Sequence, residues 1–157
     1  PLDQDHREIT PDLKRQIVEG GYWLRTPAPD AELAIITSGV LMPEALAAYE
    51  QIVEDIPGVG LLNVTSADRL HSGWTSGKNS HTEHLLSELA PNAALVTVLD
   101  GHSGGLGWMG SVSGHRTFPL GVDRFGQTGD IPDLYRTYKI DSEAIVDACA
   151  RACLAKR

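Results

Sequence analysis

Short apolar runs alternate with segments of helical periodicity along most of this chain. Three runs are continuous, as in strands that are buried on both faces of a sheet: residues 33–37, 59–64 and 94–99. Two shorter strands are predicted at residues 22–25 and 120–122. Helical segments lie between the strands, and this alternation predicts parallel pairing with right-handed crossovers.

The first strand is the exception to the parallel pattern. Only a Pro-rich turn at residues 26–30 separates residues 22–25 from the next strand, and this link is too short for a crossover. We therefore predict an α/β protein with three layers, α/β/α, around a mixed five-stranded sheet. The sheet is mostly parallel, and residues 22–25 form its one antiparallel edge strand.

Capping residues indicate where helices begin near the end of the chain. Asp130 and Asp141 each precede a helical segment, where a carboxylate can accept a backbone N–H bond, and Pro132 fits the opening turn of the first segment. Cys149 and Cys153 lie four residues apart on the apolar stripe of the second. We expect both to be core residues, present as reduced thiols of a cytoplasmic protein.

Two further helices and two irregular connections complete the predicted elements. Helical patterns cover residues 11–18 and 81–89, and the first ends before two glycines. Residues 66–80 are rich in serine and glycine, which predicts a loop with an exposed tip. Residues 101–114 form a glycine-rich connection to the last strand.

Composition and charge fit one globular domain. The chain has 157 residues, of which 41% are hydrophobic and 22% charged, and this length supports a single core. We predict an arm or linker over residues 1–17 and a domain over residues 18–157. The formal net charge of −8 argues against nucleic-acid binding, and no apolar run is long enough to cross a membrane. Because the chain begins at Pro1 without a signal segment, we expect a processed protein or a fragment.

Several short motifs together resemble one enzyme family. GVDRFGQT at residues 121–128, DLY at 133–135 and IDSEAIV at 140–146 resemble the closing motif of transketolase-type enzymes. GYWL at 21–24 and AIITSG at 34–39 resemble the start of the same C-terminal domain. The likeness is greatest to transketolases and to the homodimeric E1 subunits of pyruvate and other 2-oxo acid dehydrogenase complexes.

The resemblance implies the C-terminal domain of an enzyme that uses thiamine diphosphate and Mg²⁺ bound elsewhere. The family's metal-binding Gly-Asp-Gly is missing from the sequence, and Asp100-Gly101-His102 does not match it. We therefore expect no catalytic, cofactor-binding or metal-binding residue here, and no activity from the domain alone. Its expected partners are other domains of the same enzyme within a homodimer, not nucleic acid or membrane. Transketolation and oxidative decarboxylation both stay open.

Polar residues follow the predicted strands, and in parallel sheets ligands bind beyond the carboxyl ends of the strands. We expect any effector or anion that binds the isolated domain to lie there. The alternative is that these residues are only polar strand exits. The candidate residues are Ser38, Gly39, Thr65, Ser66, Asp100, Gly101, His102, Asp123 and Arg124.

Three other motifs have simpler explanations. GLGWMG at residues 105–110 has the spacing of a dinucleotide fingerprint, but it starts too far after the preceding strand and leaves room for only a short helix. His81 and His84 share a helical face without an evident third metal ligand, so solvated histidines are the simpler interpretation. Ser113 lacks the spacing of a hydrolase elbow.

A second class of function stays open beside the enzyme domain. A stand-alone metabolite-binding or assembly module can have the same fold, because fold alone does not fix function. A free monomer with a bound metabolite would favour the module. Association with a subunit that carries Gly-Asp-Gly would favour the enzyme.

Overall fold

A computed structural model describes residues 8–155 of the chain, except residues 78, 125 and 127. The strands are β1 (Gly21–Arg25), β2 (Ala31–Ser38), β3 (Gly60–Val64), β4 (Leu89–Val98) and β5 (Arg116–Leu120). The helices are α1 (Pro11–Glu19), α2 (Met42–Ile52), α3 (Ala67–Ser76), α4 (His81–Leu86), α5 (Gly104–Gly107), α6 (Gly110–Ser113), α7 (Ile131–Tyr138) and α8 (Ser142–Leu154). A 3₁₀ turn, Gly39–Leu41, joins β2 to α2.

The five strands form one mixed sheet in the order β1-β3-β2-β4-β5. All pairs are parallel except β1 with β3, so the predicted antiparallel edge strand is confirmed. β1 does not pair with β2, its neighbour in sequence. The Pro-rich turn between them passes the amino end of β3, where the Ala28 N–H donates to the Gly58 carbonyl at 3.0 Å. This detour places β3 between the first two strands.

Helices cover both faces of the sheet, which confirms the three-layer α/β/α architecture. Alternate residues of each central strand enter two separate cores. Ile35 and Leu61 face α2 and α8, whereas Ile36 and Leu62 face the side of α3 to α6. This two-sided burial is why these strands are apolar at nearly every position.

The ends of the last two strands differ from the predicted ones. β5 covers Arg116–Leu120 and ends where the predicted strand 120–122 begins, because the backbone at Gly121 turns against the β4–α5 connection. β4 begins at Leu89, five residues before the predicted start, and its register with β2 shifts near its own beginning. The predicted helix 81–89 is therefore three residues too long, because α4 ends at Leu86 and Leu89 already belongs to β4.

The predicted loop at residues 66–80 is wrong over most of its length, because α3 occupies Ala67–Ser76. The Ser66 hydroxyl accepts the Arg69 N–H and caps the helix, and Leu70 is fully buried. The Trp74 ring stacks on Trp108 with a centroid distance of 5.5 Å, which joins α3 to the region after α5. Hydrophobic periodicity does not predict this helix, because Leu70 is its one fully buried residue and a single apolar position sets no period.

Helix α1 spans the boundary that we predict between arm and domain. The Ile17 carbonyl accepts a hydrogen bond from the Thr65 hydroxyl at 2.7 Å, and the Val18 carbonyl accepts one from Arg69. These bonds attach the end of α1 to the loop that follows β3. The division of the chain into an arm and a domain stays a prediction.

The predicted caps and cysteines are confirmed in part. Asp141 accepts the Ala144 N–H at 3.1 Å and caps α8, whereas Asp130 has the N-cap position of α7 without a side-chain bond. Cys149 is buried, and burial raises the pKa of its thiol to about 12. Cys153 is exposed, so its predicted core position is wrong, since the apolar stripe of α8 ends before it.

Among the described residues, no helix is long and apolar enough to cross a membrane.

Candidate functional site

The carboxyl ends of β2, β3, β4 and β5 meet along one edge of the sheet, because these strands are parallel. All the predicted site residues lie at or just beyond these strand ends. The structure divides them between two groups of contacts, one beside β2 and β3 and the other between β4 and β5.

Hydroxyl groups beside β2 and β3 are used in holding the fold together. The Ser38 hydroxyl donates to the Val64 carbonyl at 2.8 Å and joins the ends of the two strands. The backbone N–H groups of Thr65 and Ser66 both donate to the Gly20 carbonyl, at 2.9 and 3.1 Å. Gly39 begins the 3₁₀ turn. These contacts support the alternative interpretation, in which the residues are structural strand exits.

Asp123 joins the two connections that leave β4 and β5. Its carboxylate accepts the Ser103 N–H at 2.9 Å, and His102 Nε2 lies 3.9 Å from the same oxygen. The Val122 N–H donates to the Gly101 carbonyl at 2.7 Å beside them. We call these residues, 101–103 with 121–123, the Asp123 brace. Arg124 follows the brace and is exposed.

Hydrogen bonding lowers the pKa of the Asp123 carboxyl below its ordinary value of 3.8. The largest cause is the Ser103 backbone N–H, followed by the Ser103 side chain, with a smaller contribution from the charge of His102. Because the folded-state pKa is the lower one, the charged brace stabilises the fold above the ordinary pKa. That contribution is lost as the pH falls through the folded-state pKa.

Replacing Asp123 with asparagine is therefore expected to lower the melting temperature at pH 7, since an amide oxygen is a weaker acceptor than a carboxylate. The difference from the parent chain should narrow as the pH falls below about 4, where the parent carboxylate is itself protonated. Scanning fluorimetry between pH 7 and pH 2 measures the melting temperatures of the parent chain and the variant, and thus their difference at each pH. Asp55→Asn, an exposed turn residue, is the control. A difference in melting temperature that stays constant down to pH 2 would contradict the stabilising role of the Asp123 charge.

An apolar cavity of about 410 Å³ lies at the same edge of the sheet, between the 3₁₀ turn and α7. We call it the Tyr135 cavity. Its lining residues are Val40, Asp100, Val122, Ile131, Leu134, Tyr135, Tyr138 and Ile140. Partial burial raises the pKa of the Tyr135 phenol, and the charges of Asp100 and Glu44 raise it further. The cavity is thus apolar inside and acidic on one side.

Of the predicted site residues, Asp100 alone lines this cavity. The other lining residues escape sequence reasoning because they come from the turn after β2, the exit of β5 and α7. The spacing of Leu134, Tyr135 and Tyr138 does predict a helix face turned toward the protein, and the structure half-buries all three. Nothing in that spacing shows that the face stops short of the sheet and leaves a cavity.

The charged side chains among the described candidate residues do not all have one sign. Asp100 and Asp123 bring two carboxylates to this edge, and His102 and Arg124 are the two basic residues among the nine candidates. Binding of an effector or anion there stays a prediction. A phosphate titration followed by NMR that leaves all nine residues unperturbed would contradict it.

Two of the described histidines contact backbone carbonyls, and one of them, His81, is less solvated than expected. Among the described residues, no group of three His, Cys, Asp or Glu side chains is placed to hold a metal ion. His81 is mostly buried, with Nε2 2.7 Å from the Gly21 carbonyl and Nδ1 3.3 Å from the Glu19 carboxylate. His115 is buried with Nδ1 3.2 Å from the Ala93 carbonyl. Backbone carbonyls therefore contact both histidines. His81 is one of the two that we expected in solvent, and the other, His84, is exposed.

Residues 105–110 have the spacing of a dinucleotide fingerprint but not its strand–loop–long helix structure. Residues 105–107 lie in α5 and Gly110 begins α6. Each of these helices has four residues, so no long helix follows β4. This agrees with the short helix that the glycines predict.

The fold defines the class of the protein as a three-layer α/β domain with a mixed five-stranded sheet. The family model of the transketolase-like C-terminal domain matches residues 20–141. The chain therefore belongs to the family of transketolase-like C-terminal domains. A search of curated protein sequences gives no match.

Solved structures of transketolases have the same fold. A transketolase mutant from Pichia stipitis, in complex with xylulose 5-phosphate, is 22% identical with a TM-score of 0.66, over 88% of this chain and 18% of that chain. Transketolase from Leishmania mexicana is 19% identical with a TM-score of 0.66 over the same shares. A split-gene transketolase, described as an inactive β4 tetramer, is 16% identical with a TM-score of 0.63, over 88% of this chain and 44% of that chain.

Proposed function

We propose that this chain acts as the C-terminal domain of a thiamine-diphosphate-dependent enzyme and contributes to subunit packing and assembly, not to catalysis by itself. The observation that carries the proposal is the family match across residues 20–141. The matched model describes transketolase-like domains, which favours transketolation over the oxidative decarboxylation of an E1 component. The chain spans about a fifth of the full-length transketolases, 18% in each case, so substrate and activity belong to the whole enzyme.

The residues present do not fit the cofactor that the family implies. Thiamine diphosphate is bound together with Mg²⁺, which prefers carboxylate and carbonyl oxygens in octahedral geometry. The described part of the chain offers no cluster of His, Cys, Asp or Glu for a metal ion. In the proposed enzyme the cofactor supplies the chemistry from other domains, and this domain supports their arrangement.

The split-gene relative supports a role in assembly that is separate from catalysis. Its β chain, of which this chain covers 44%, is described as an inactive tetramer. By analogy, a chain with this domain can associate without being active. We also propose a homodimer of the complete enzyme and a cytoplasmic location. The two free cysteines support the cytoplasmic location, because thiols persist in reducing compartments.

Calorimetry of the isolated chain with thiamine diphosphate and Mg²⁺ tests the proposal. We expect no saturable heat, because the described residues include no group of three His, Cys, Asp or Glu side chains placed to hold the metal ion. Full-length Leishmania mexicana transketolase, titrated under the same conditions, is the positive control. Tight binding to the isolated chain that disappears on chelation of Mg²⁺ would contradict the proposed division of labour.

A further inference from the structure

The Tyr135 cavity is bordered by apolar side chains that remain in solvent. Val40 is 62% exposed and Ile131 is 64% exposed, although both line the cavity. They are two of the five large hydrophobic residues that are strongly exposed in the described part of the chain. Exposed apolar side chains around a concave apolar surface are typical of interaction sites.

The one charged residue in the described lining of the cavity is acidic. Asp100 lines it, and the Glu44 carboxylate is near enough for its charge to act on Tyr135. The lining contains no lysine, arginine or histidine among the described residues. Arg136 and Lys139, the bases nearest in sequence, line a different groove beside Asp141. A guanidinium or ammonium group in the cavity would therefore meet the Asp100 carboxylate without a basic residue in the described lining, and two phenol groups lie beside it.

The apolar border decides between a small ligand and a chain segment. A small cation that fills about 410 Å³ would leave Val40 and Ile131 in solvent, whereas an extended segment laid across the opening covers both. Docking of a second copy through the same face would place two such acidic surfaces in one interface. Each copy already carries a formal net charge of −8, so this arrangement is electrostatically unfavourable.

We propose that the Tyr135 cavity docks a segment of another domain of the enzyme in which an arginine or lysine lies next to apolar side chains. The basic group is placed beside Asp100, and the apolar side chains cover Val40 and Ile131. This inference rests on the proposed function, since it names the surface through which the domain meets the rest of its enzyme.

Two peptides test the surface on the full 157-residue chain. Acetyl-Gly-Leu-Arg-Leu-Gly-amide and its Glu counterpart are titrated into ¹⁵N-labelled protein, and backbone amide shifts are followed by NMR. We expect the Arg peptide to shift the amides of Val40, Asp100, Val122 and Tyr135. We expect it to bind about tenfold more tightly than the Glu peptide, because one charge is attracted and the other repelled.

Matched variants separate charge from general surface effects. Asp100→Asn should weaken binding of the Arg peptide by about two- to fivefold, the range of an exposed ion pair. Asp55→Asn removes the same charge from a turn after α2 and should change nothing. Val40→Ser with Ile131→Ser should weaken binding of both peptides, since each peptide carries the same leucines.

Several results would overturn the inference. One is equal binding of the two peptides, and another is a set of amide shifts confined to a different surface. The third is no amide shift up to about 10 mM peptide, which corresponds to a binding free energy weaker than about −3 kcal/mol. Methylguanidinium that binds this cavity as tightly as the Arg peptide would assign the site to a small cation instead. Failure of the peptides leaves the cofactor calorimetry unaffected, so the inference and the proposed function fail separately.

Discussion

Replacing Leu70 with alanine is expected to lower the free energy of unfolding by about 2–5 kcal/mol, the usual cost of a cavity in a packed core. Leu70 is 1% exposed and lies against the bend between α1 and β1, where a Cβ added at Gly20 would be 3.0 Å from Leu70 Cγ. The Leu70 carbonyl also accepts the Thr82 hydroxyl at 2.9 Å, which ties α3 to α4. The residue therefore anchors α3 to the sheet.

Urea denaturation of the parent chain and the Leu70→Ala variant measures this loss. Ser72→Ala is the control, because Ser72 is exposed on the same helix and its replacement should stay within about 0.5 kcal/mol. A loss below about 1 kcal/mol for Leu70→Ala would mean that residues 67–76 are not docked on the core in solution. The sequence-based prediction of a loop would then be the better description of this segment.

Replacing Gly121 with alanine is expected to cost about 2 kcal/mol or more, through forced movement of backbone that is already packed. An added Cβ would lie 2.5 Å from the Ser103 nitrogen and 2.6 Å from the Gly101 oxygen. Both are main-chain atoms of the Asp123 brace, so no side chain can rotate away to make room. The carboxyl ends of β4 and β5 should separate locally.

Denaturation midpoints of the parent chain and the Gly121→Ala variant measure the loss of stability, and their amide spectra show which residues are disturbed. Gly77→Ala is the control, since an added Cβ at Gly77 meets nothing within 4 Å and its backbone is extended. Loss of the hydrogen bond between Ser103 and Asp123 should also move the Ser103 amide resonance toward that of a solvent-exposed group. A Gly121→Ala variant as stable as the parent, with an unchanged Ser103 amide, would show that the two connections are not in close contact.

The fold follows from the sequence where burial on both faces determines composition. Residues 33–37 are apolar apart from Thr37 because neighbouring side chains enter two different cores, so a strand there can be predicted without any partner in view. Helix α3 behaves in the opposite way. With Leu70 as its one fully buried residue, it is held by a cap and by stacked rings, and neither leaves a period in the sequence.

The position of the candidate site could be predicted, but its lining could not. Strand ends are found from the apolar runs, and parallel pairing brings them to one edge, which places Asp100 and Asp123 correctly. The Tyr135 cavity depends on how far α7 stands from the turn after β2. That distance is set by tertiary packing, and no local pattern around Val40 or Ile131 encodes it.

The strand order has a consequence for synthesis of the protein on the ribosome. β1 pairs with β3 and not with β2, so no two strands of the native sheet can pair until residues 60–64 have left the exit tunnel. Until then, the backbone N–H and C=O groups of β2 have no native strand with which to pair. This delay is the kind of exposure that recruits chaperones to nascent α/β chains. The detour of the Pro-rich turn therefore makes the emergence of β3 the step at which co-translational folding of the sheet can begin.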